Sequence, residues 1–253
     1  MTRNLETARI ISLPPDAFYI ADFISEDEEK WLLQKVNPYP SAPIPRWTQL
    51  SHRRLQTWPS ALTKTNTLLD SPLPPWLISP IIEPRFAALG IFDNAPHGAP
   101  NHVLVNEYRP GQGIMPHEDG TAYYPLVATV SLGAPIVLDL YAKKHRDQAA
   151  MEGSDDSDQV PDSGAKPQFR ILQERRSLLI TRGLLYTEFL HGIAESRTDE
   201  DLGPYSICNW PLLRERDSFH DGWYRRETRT SLTYRDVAKV AKMGGTLKFM
   251  GGK

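Results

Sequence analysis

From residue 102 to residue 182 the chain passes through short apolar runs of strand length, and glycine or proline separates them. Segments of that length, repeated with turn residues between, build a sandwich or barrel. Leu104-Val105-Asn106-Glu107-Tyr108 ends in the turn Arg109-Pro110-Gly111, and residues 127–140 hold two apolar runs broken at Gly133-Ala134-Pro135. A further alternating run, Arg229-Thr230-Ser231-Leu232-Thr233-Tyr234-Arg235, lies near the C-terminus. The 22 prolines suit turns and edge strands better than a helical bundle. The expected fold is therefore mainly β with flanking helices, a sandwich or jelly roll rather than a parallel α/β sheet.

The 253 residues are expected to form a single domain around one substantial core. Residues 18–90 read as an N-terminal helical and lid region, and 100–240 as the jelly-roll core. Ser25-Glu26-Asp27-Glu28 has the form of a capping box that opens a helix carrying Trp31, Leu32, Leu33 and Val36. Four prolines between positions 38 and 45 end it. Residues 76–89 are a second helical candidate, interrupted at Pro80 and Pro84. The stretch 147–167 reads as an acidic disordered insertion: from 147 to 163 it holds acids, no base and little to bury. Residues 195–223 read as irregular, and the tail with Lys239, Lys242, Lys248 and Lys253 as basic.

A formal net charge of −2 gives no global nucleic-acid footprint. One cysteine, Cys208, excludes an internal disulfide and fits a reducing cytosolic or nuclear setting. It has no base nearby that would make it a nucleophile. No stretch approaches the roughly 20 apolar residues of a membrane-spanning helix, and residues 1–6 lack the apolar core of a secretory signal.

The chemistry gathers at His117-Glu118-Asp119 and at a distant His191-Gly192. Extended backbone from 114 to 120 points His117 and Asp119 to one face and Glu118 to the other. Two imidazoles and one carboxylate are the ligands of a facial triad that holds ferrous iron with open positions for co-substrate and oxygen. Along 229–235 the same alternation sets Arg229, Ser231, Thr233 and Arg235 on one face, with Leu232 and Tyr234 on the other. Two inward guanidiniums carry a high desolvation cost unless an anion meets them, and a dicarboxylate would suit. Residues 40–56 hold Arg46, Arg53 and Arg54 with Trp47 and no acid. Such a patch either grips phosphates and stacks a base, or is a solvated loop with Trp47 in the core. His52, His97, His102, His145 and His220 lack a second ligand at useful spacing and read as loop or surface residues.

These residues together resemble the AlkB-like family of iron(II)- and 2-oxoglutarate-dependent dioxygenases. The family pattern N-x-Y (Asn106, Tyr108), H-x-D, a distal histidine and R-x-N/S-L-T-x-R occurs in that order. Arg46-Trp47-Thr48-Gln49-Leu50, residues 101–106 and 113–120, Tyr123-Tyr124-Pro125 and residues 190–194 are similar to one eukaryotic branch, the sixth AlkB homologues. The likeness runs from about Phe18 to Val237. It implies a monomer with a double-stranded β-helix core, working with Fe(II), 2-oxoglutarate and O2 in cytoplasm and nucleus. It further implies His117, Asp119 and His191 as iron ligands, and Arg229 on the distal carboxylate of 2-oxoglutarate. Arg235 would sit near its metal-bound end, with Asn106, Tyr108, Ser231 and Thr233 alongside. The implied activity is oxidative demethylation of alkylated single-stranded RNA or DNA, with Trp47, Arg53, Arg54, Thr121 and Tyr123 toward the substrate. Ser231 stands where many relatives have asparagine. Thr121 stands where several nucleobase-acting members carry an acid, so the same chemistry on a protein or small molecule stays open, as does a nucleic-acid-binding module.

Overall fold

The computed structural model describes residues 5–14, 16–37, 46–143 and 165–242. The proline run, most of the acidic stretch, and Lys248 and Lys253 of the tail lie outside these residues. In chain order the strands are β1 (Ala17–Ile20), β2 (Thr48–Gln49), β3 (Arg54–Trp58), β4 (Leu68–Leu69), β5 (His102–Tyr108), β6 (Ile114–His117) and β7 (Leu126–Leu132). They continue as β8 (Ile136–Ala142), β9 (Phe169–Gln173), β10 (Leu178–Arg182), β11 (Phe189–Ile193), β12 (Thr198–Glu200), β13 (Trp223–Arg225), β14 (Arg229–Arg235) and β15 (Val240–Ala241). The helix α1 covers Glu26–Val36.

One antiparallel sheet has the order β1-β10-β7-β14-β5-β3-β2, and a smaller one the order β6-β11-β8-β9. The chain changes sheet from β5 to β6, from β6 to β7, from β7 to β8 and again from β9 to β10. That alternation is the winding of a double-stranded β-helix, a jelly roll. The turn read at Gly133-Ala134-Pro135 therefore does not close a hairpin; its two strands pair in different sheets. Gly133 has φ +84°, and a Cβ there would lie 2.7 Å from the Thr228 carbonyl oxygen, so no larger residue fits the crossing without movement.

Period-2 alternation splits the large sheet into two surfaces. Val103, Val105, Ala128, Val130, Leu132, Leu232 and Tyr234 face outward into a core shared with Leu32 and Val36 of α1 and with Leu77, Ile81 and Phe86. Helix α1 begins with the expected capping box: Glu28 N donates to Ser25 Oγ, and Ser25 N to Glu28 Oε2. Its buried Glu29 accepts from Gly133 N at 2.8 Å and from Arg175 Nε at 3.0 Å, which ties the helix to the sheet crossing. Residues 76–89 do not form one helix. Ser79 and Glu83, each preceding a proline, take extended φ/ψ values and break it twice.

The small sheet has its own cover. Val137, Ile171 and Leu172 pack with Leu202, Ile207, Leu213 and Phe219, so the segment read as irregular serves as a lid on a second core. Arg226 anchors it through a buried pair with Asp199, Nε to Oδ2 at 2.9 Å. Among the described residues no helix is long and apolar enough to cross a membrane. What the two sheets leave between their inner faces is a polar-lined cavity.

Candidate active site

His117 ends β6 and His191 is the middle residue of β11, and the antiparallel ladder pairs the two directly. Their rings stand 4.4 Å apart between centroids. Asp119 lies two residues beyond β6, and one ligand atom from each of the three residues falls within 4.8 Å of the others. His117 Nδ1 lies 2.9 Å from the Met115 carbonyl oxygen. A carbonyl only accepts, so Nδ1 carries the proton and Nε2 keeps its lone pair free. Burial lowers the His191 imidazole to about 4, against the pull of Asp119. Burial lowers His117 as well. Burial also works to raise the Asp119 carboxyl, but the Arg235 guanidinium, by charge and hydrogen bond, leads the groups that outweigh it and hold it below its ordinary range. Two neutral imidazoles and one ionised carboxylate are the donor set that suits a divalent iron.

Along β14 the four inward residues Arg229, Ser231, Thr233 and Arg235 line one cavity of about 280 Å³ with Asn106, Tyr108 and the three metal-ligand candidates. Arg235 donates to Asp119 Oδ1, and its guanidinium lies 4.9 Å over the Tyr123 ring. Arg229 is the unusual one. It is 3 % exposed, its guanidinium is lowered by burial to about 10, and its Nε has no hydrogen-bond partner. Among the described residues no carboxylate pairs with it. Arg235 Nε is likewise buried and unpartnered. A cavity with two such cations and a three-ligand site fits iron with a chelating dicarboxylate, which the orphaned N–H groups would meet.

The basic N-terminal patch divides. Arg54 pairs with the buried Glu107 on the neighbouring strand, Nε to Oε1 at 2.8 Å, and stacks 4.2 Å over Trp47. Trp47 Nε1 donates to Asn37, and Arg46 lies 3.8 Å over Trp58. These rings and charges are already engaged with one another. Arg53, one residue earlier and on the opposite face, lines the cavity instead, with a buried and unpartnered Nε. Its carbonyl accepts from Leu50 N and Gln49 Nε2, so the backbone is fixed while the side chain reaches inward. Tyr123 also lines the cavity, whereas Thr121 is exposed in the turn after Gly120 and does not.

Some cavity residues carry no motif. Gln173 and Ser131 both accept from Arg229. Glu118, expected on the face opposite His117, also lines the cavity because β6 ends at His117, and it pairs with Lys143. Gln173 gives no signal beyond closing the strand Phe169-Arg170-Ile171-Leu172-Gln173. His102, read from the sequence as a loop or surface residue, is a correction: it is buried at 1 % exposure in β5, with Nε2 3.1 Å from the Ser60 carbonyl.

Comparison with known proteins accords with this geometry. A family model described as the 2OG-Fe(II) oxygenase superfamily matches residues 16–235. A relative from Danio rerio named "Probable RNA/DNA demethylase ALKBH6" is 38 % identical over 239 residues, covering 94 % of this chain and 93 % of its own. The Xenopus tropicalis "tRNA (carboxymethyluridine(34)-5-O)-methyltransferase alkbh8" is 27 % identical over 89 % of this chain, which spans 32 % of that protein. A Burkholderia pseudomallei oxidoreductase of the 2OG-Fe(II) oxygenase family superposes with a TM-score of 0.48 at 10 % identity, covering 89 % of both chains. With the family model across both sheets and one relative similar along nearly its whole length, the chain belongs to the 2OG-Fe(II) oxygenase superfamily and, within it, to the AlkB-like dioxygenases.

Proposed function

We propose that this dioxygenase demethylates alkylated nucleic acid, RNA or DNA, and that Arg53 is its contact with the substrate's charge. The observation that carries the reading is the set of cations in the cavity. Arg235 is committed to Asp119, and Arg229 suits the far carboxylate of 2-oxoglutarate. Glu118 is paired with Lys143. Among the described residues Arg53 is then the remaining cavity cation with a buried, unpartnered N–H, and a phosphodiester supplies an anion for it. The name carried by the zebrafish relative supports the same substrate class.

Each residue has a task in this reading. His117, His191 and Asp119 would hold the iron, with the Met115 carbonyl fixing the tautomer of the first and Arg235 the orientation of the last. Arg229, with Tyr108, Asn106, Ser231 and Thr233 around it, would orient 2-oxoglutarate. Leu104, Val127, Leu138 and Leu140 line the walls and limit water. When bound, iron(II) and 2-oxoglutarate supply the oxidation of a C–H bond by dioxygen, yielding succinate and carbon dioxide. A hydroxymethyl group made on nitrogen then leaves as formaldehyde. A single unpaired cysteine suits a reducing compartment, the nucleus or cytoplasm in this reading.

The test is succinate and formaldehyde release with iron and 2-oxoglutarate supplied, across methylated single-stranded RNA and DNA and methylated peptides. Methylated oligonucleotides should raise both products together. Their binding should weaken linearly with log salt, at a slope for about two to four phosphate contacts. Stimulation by peptides alone, or salt-independent oligonucleotide binding, would transfer the chemistry to a protein or small-molecule substrate.

A further inference from the structure

Arg229 is held by two side chains that carry no charge, and we propose that Ser131 and Gln173 are positioning residues that keep its guanidinium free for the distal carboxylate of 2-oxoglutarate. This rests on the reading that Arg229 meets that carboxylate. Its own ground is the arrangement of atoms around the fork. Nη2 donates to Ser131 Oγ at 2.9 Å and to Gln173 Oε1 at 3.1 Å, and Ser131 Oγ lies 3.4 Å from the same glutamine oxygen. Nε, on the same guanidinium, has no partner. The two anchors come from opposite walls of the sandwich. Ser131 lies on β7, in register with Ser231 of β14, while Gln173 ends β9 in the small sheet. Both anchors are buried, at 0 % and 2 % exposure. One corner of a flat cation is thus clamped between the sheets, and the group as a whole still lines the cavity.

The neutrality of the anchors is the point. A carboxylate at either place would form a buried ion pair with Arg229. The co-substrate would then meet a like charge and a cation already satisfied. An amide oxygen and a hydroxyl oxygen instead fix the N–H directions and leave the formal charge intact. The strand ladders position both anchors before any ligand arrives. Gln173→Glu tests this sharply, because it adds one charge and almost no volume.

The experiment measures keto-acid binding to the Mn(II)-loaded protein by calorimetry, with two probes. One is 2-oxoglutarate; the other is 2-oxobutyrate, which has the same chelating end and no distal carboxylate. In Gln173→Glu, 2-oxoglutarate should bind at least about tenfold more weakly and 2-oxobutyrate within about twofold of normal. The thermal midpoint of the metal-free variant should not fall, since the buried arginine gains a counter-ion. Ser131→Ala and Gln173→Met remove an anchor without adding charge and should weaken 2-oxoglutarate by about two- to fivefold. Arg229→Met separates the two levels. Normal 2-oxoglutarate binding in Arg229→Met removes the parent reading. Weak binding there, together with normal binding in Gln173→Glu, overturns the positioning role alone. An equal loss of both keto acids in Gln173→Glu also overturns it, because it marks a packing defect.

Discussion

At the scale of single residues, the interior of this jelly roll keeps polar groups whose charge states are set by burial. His102 shows this away from the metal-ligand candidates. Burial lowers its imidazole to about 4, with the Ser60 carbonyl opposing, and Tyr123 Oη lies 3.5 Å from Nδ1. In the unfolded chain the same group titrates near 6.5. Between those values the unfolded chain binds a proton that the folded one refuses, so stability is full above pH 6.5 and falls as the pH drops toward 4. The difference corresponds to roughly 3 kcal/mol at about 1.4 kcal/mol per unit. Denaturant unfolding from pH 4 to 7 should therefore show a shallower pH dependence in His102→Gln than in the parent protein. Equal slopes would place the acid sensitivity elsewhere. The burial of His102 was not legible in the sequence, because the groups that enclose it arrive from position 60 and from Tyr123, far along the chain. Alternation along 229–235, by contrast, gave the inward face of β14 directly.

At the scale of elements, adjacent arginines on β3 and its turn do opposite work, and two substitutions should separate them. Arg54→Ala strips the buried Glu107 of its closest cation, leaving Arg109 Nε at 3.4 Å as a weaker partner. Breaking a buried pair from one side costs on the order of 3–5 kcal/mol, so the melting temperature should drop clearly. Arg53→Ala should leave the melting temperature within a few degrees and raise the KM for oligonucleotide at least about tenfold, the loss of one charge-assisted contact. The reverse pattern, with Arg53→Ala unstable and catalytically normal, would withdraw Arg53 from substrate binding. From the sequence alone the patch read as one unit, because composition does not say which of two neighbours faces inward. Only the register Arg54↔Glu107 decides it. The helix cap at Ser25 was legible because its signal is local. The broken segment 76–89 was legible only in part: Pro80 and Pro84 marked interruptions, but not the extended residues before each.

At the scale of the whole molecule, two sheets that exchange strands at nearly every turn make the cavity a property of the fold rather than of any one loop. The family pattern was readable because its residues sit on strands with a fixed period, whereas the walls that complete the cavity, Leu138 and Leu140, look like ordinary core. The direct pairing of His191 with His117 has a consequence for how such a chain can vary in length. Two of the three metal-ligand candidates are placed by the spacing of a ladder, so a single inserted residue within 114–117 or 189–191 would turn one imidazole to the wrong side of its strand. An insertion between β8 and β9 lies outside the paired residues of both ladders and leaves them in step. A scan of one-residue insertions, read by metal content and by soluble yield, should give folded protein without bound iron in the first zones and iron-binding protein at 165–167. Drift in chain length among descendants of this sequence would then accumulate where β8 gives way to β9, while the few positions around His117 and His191 admit replacement but not addition.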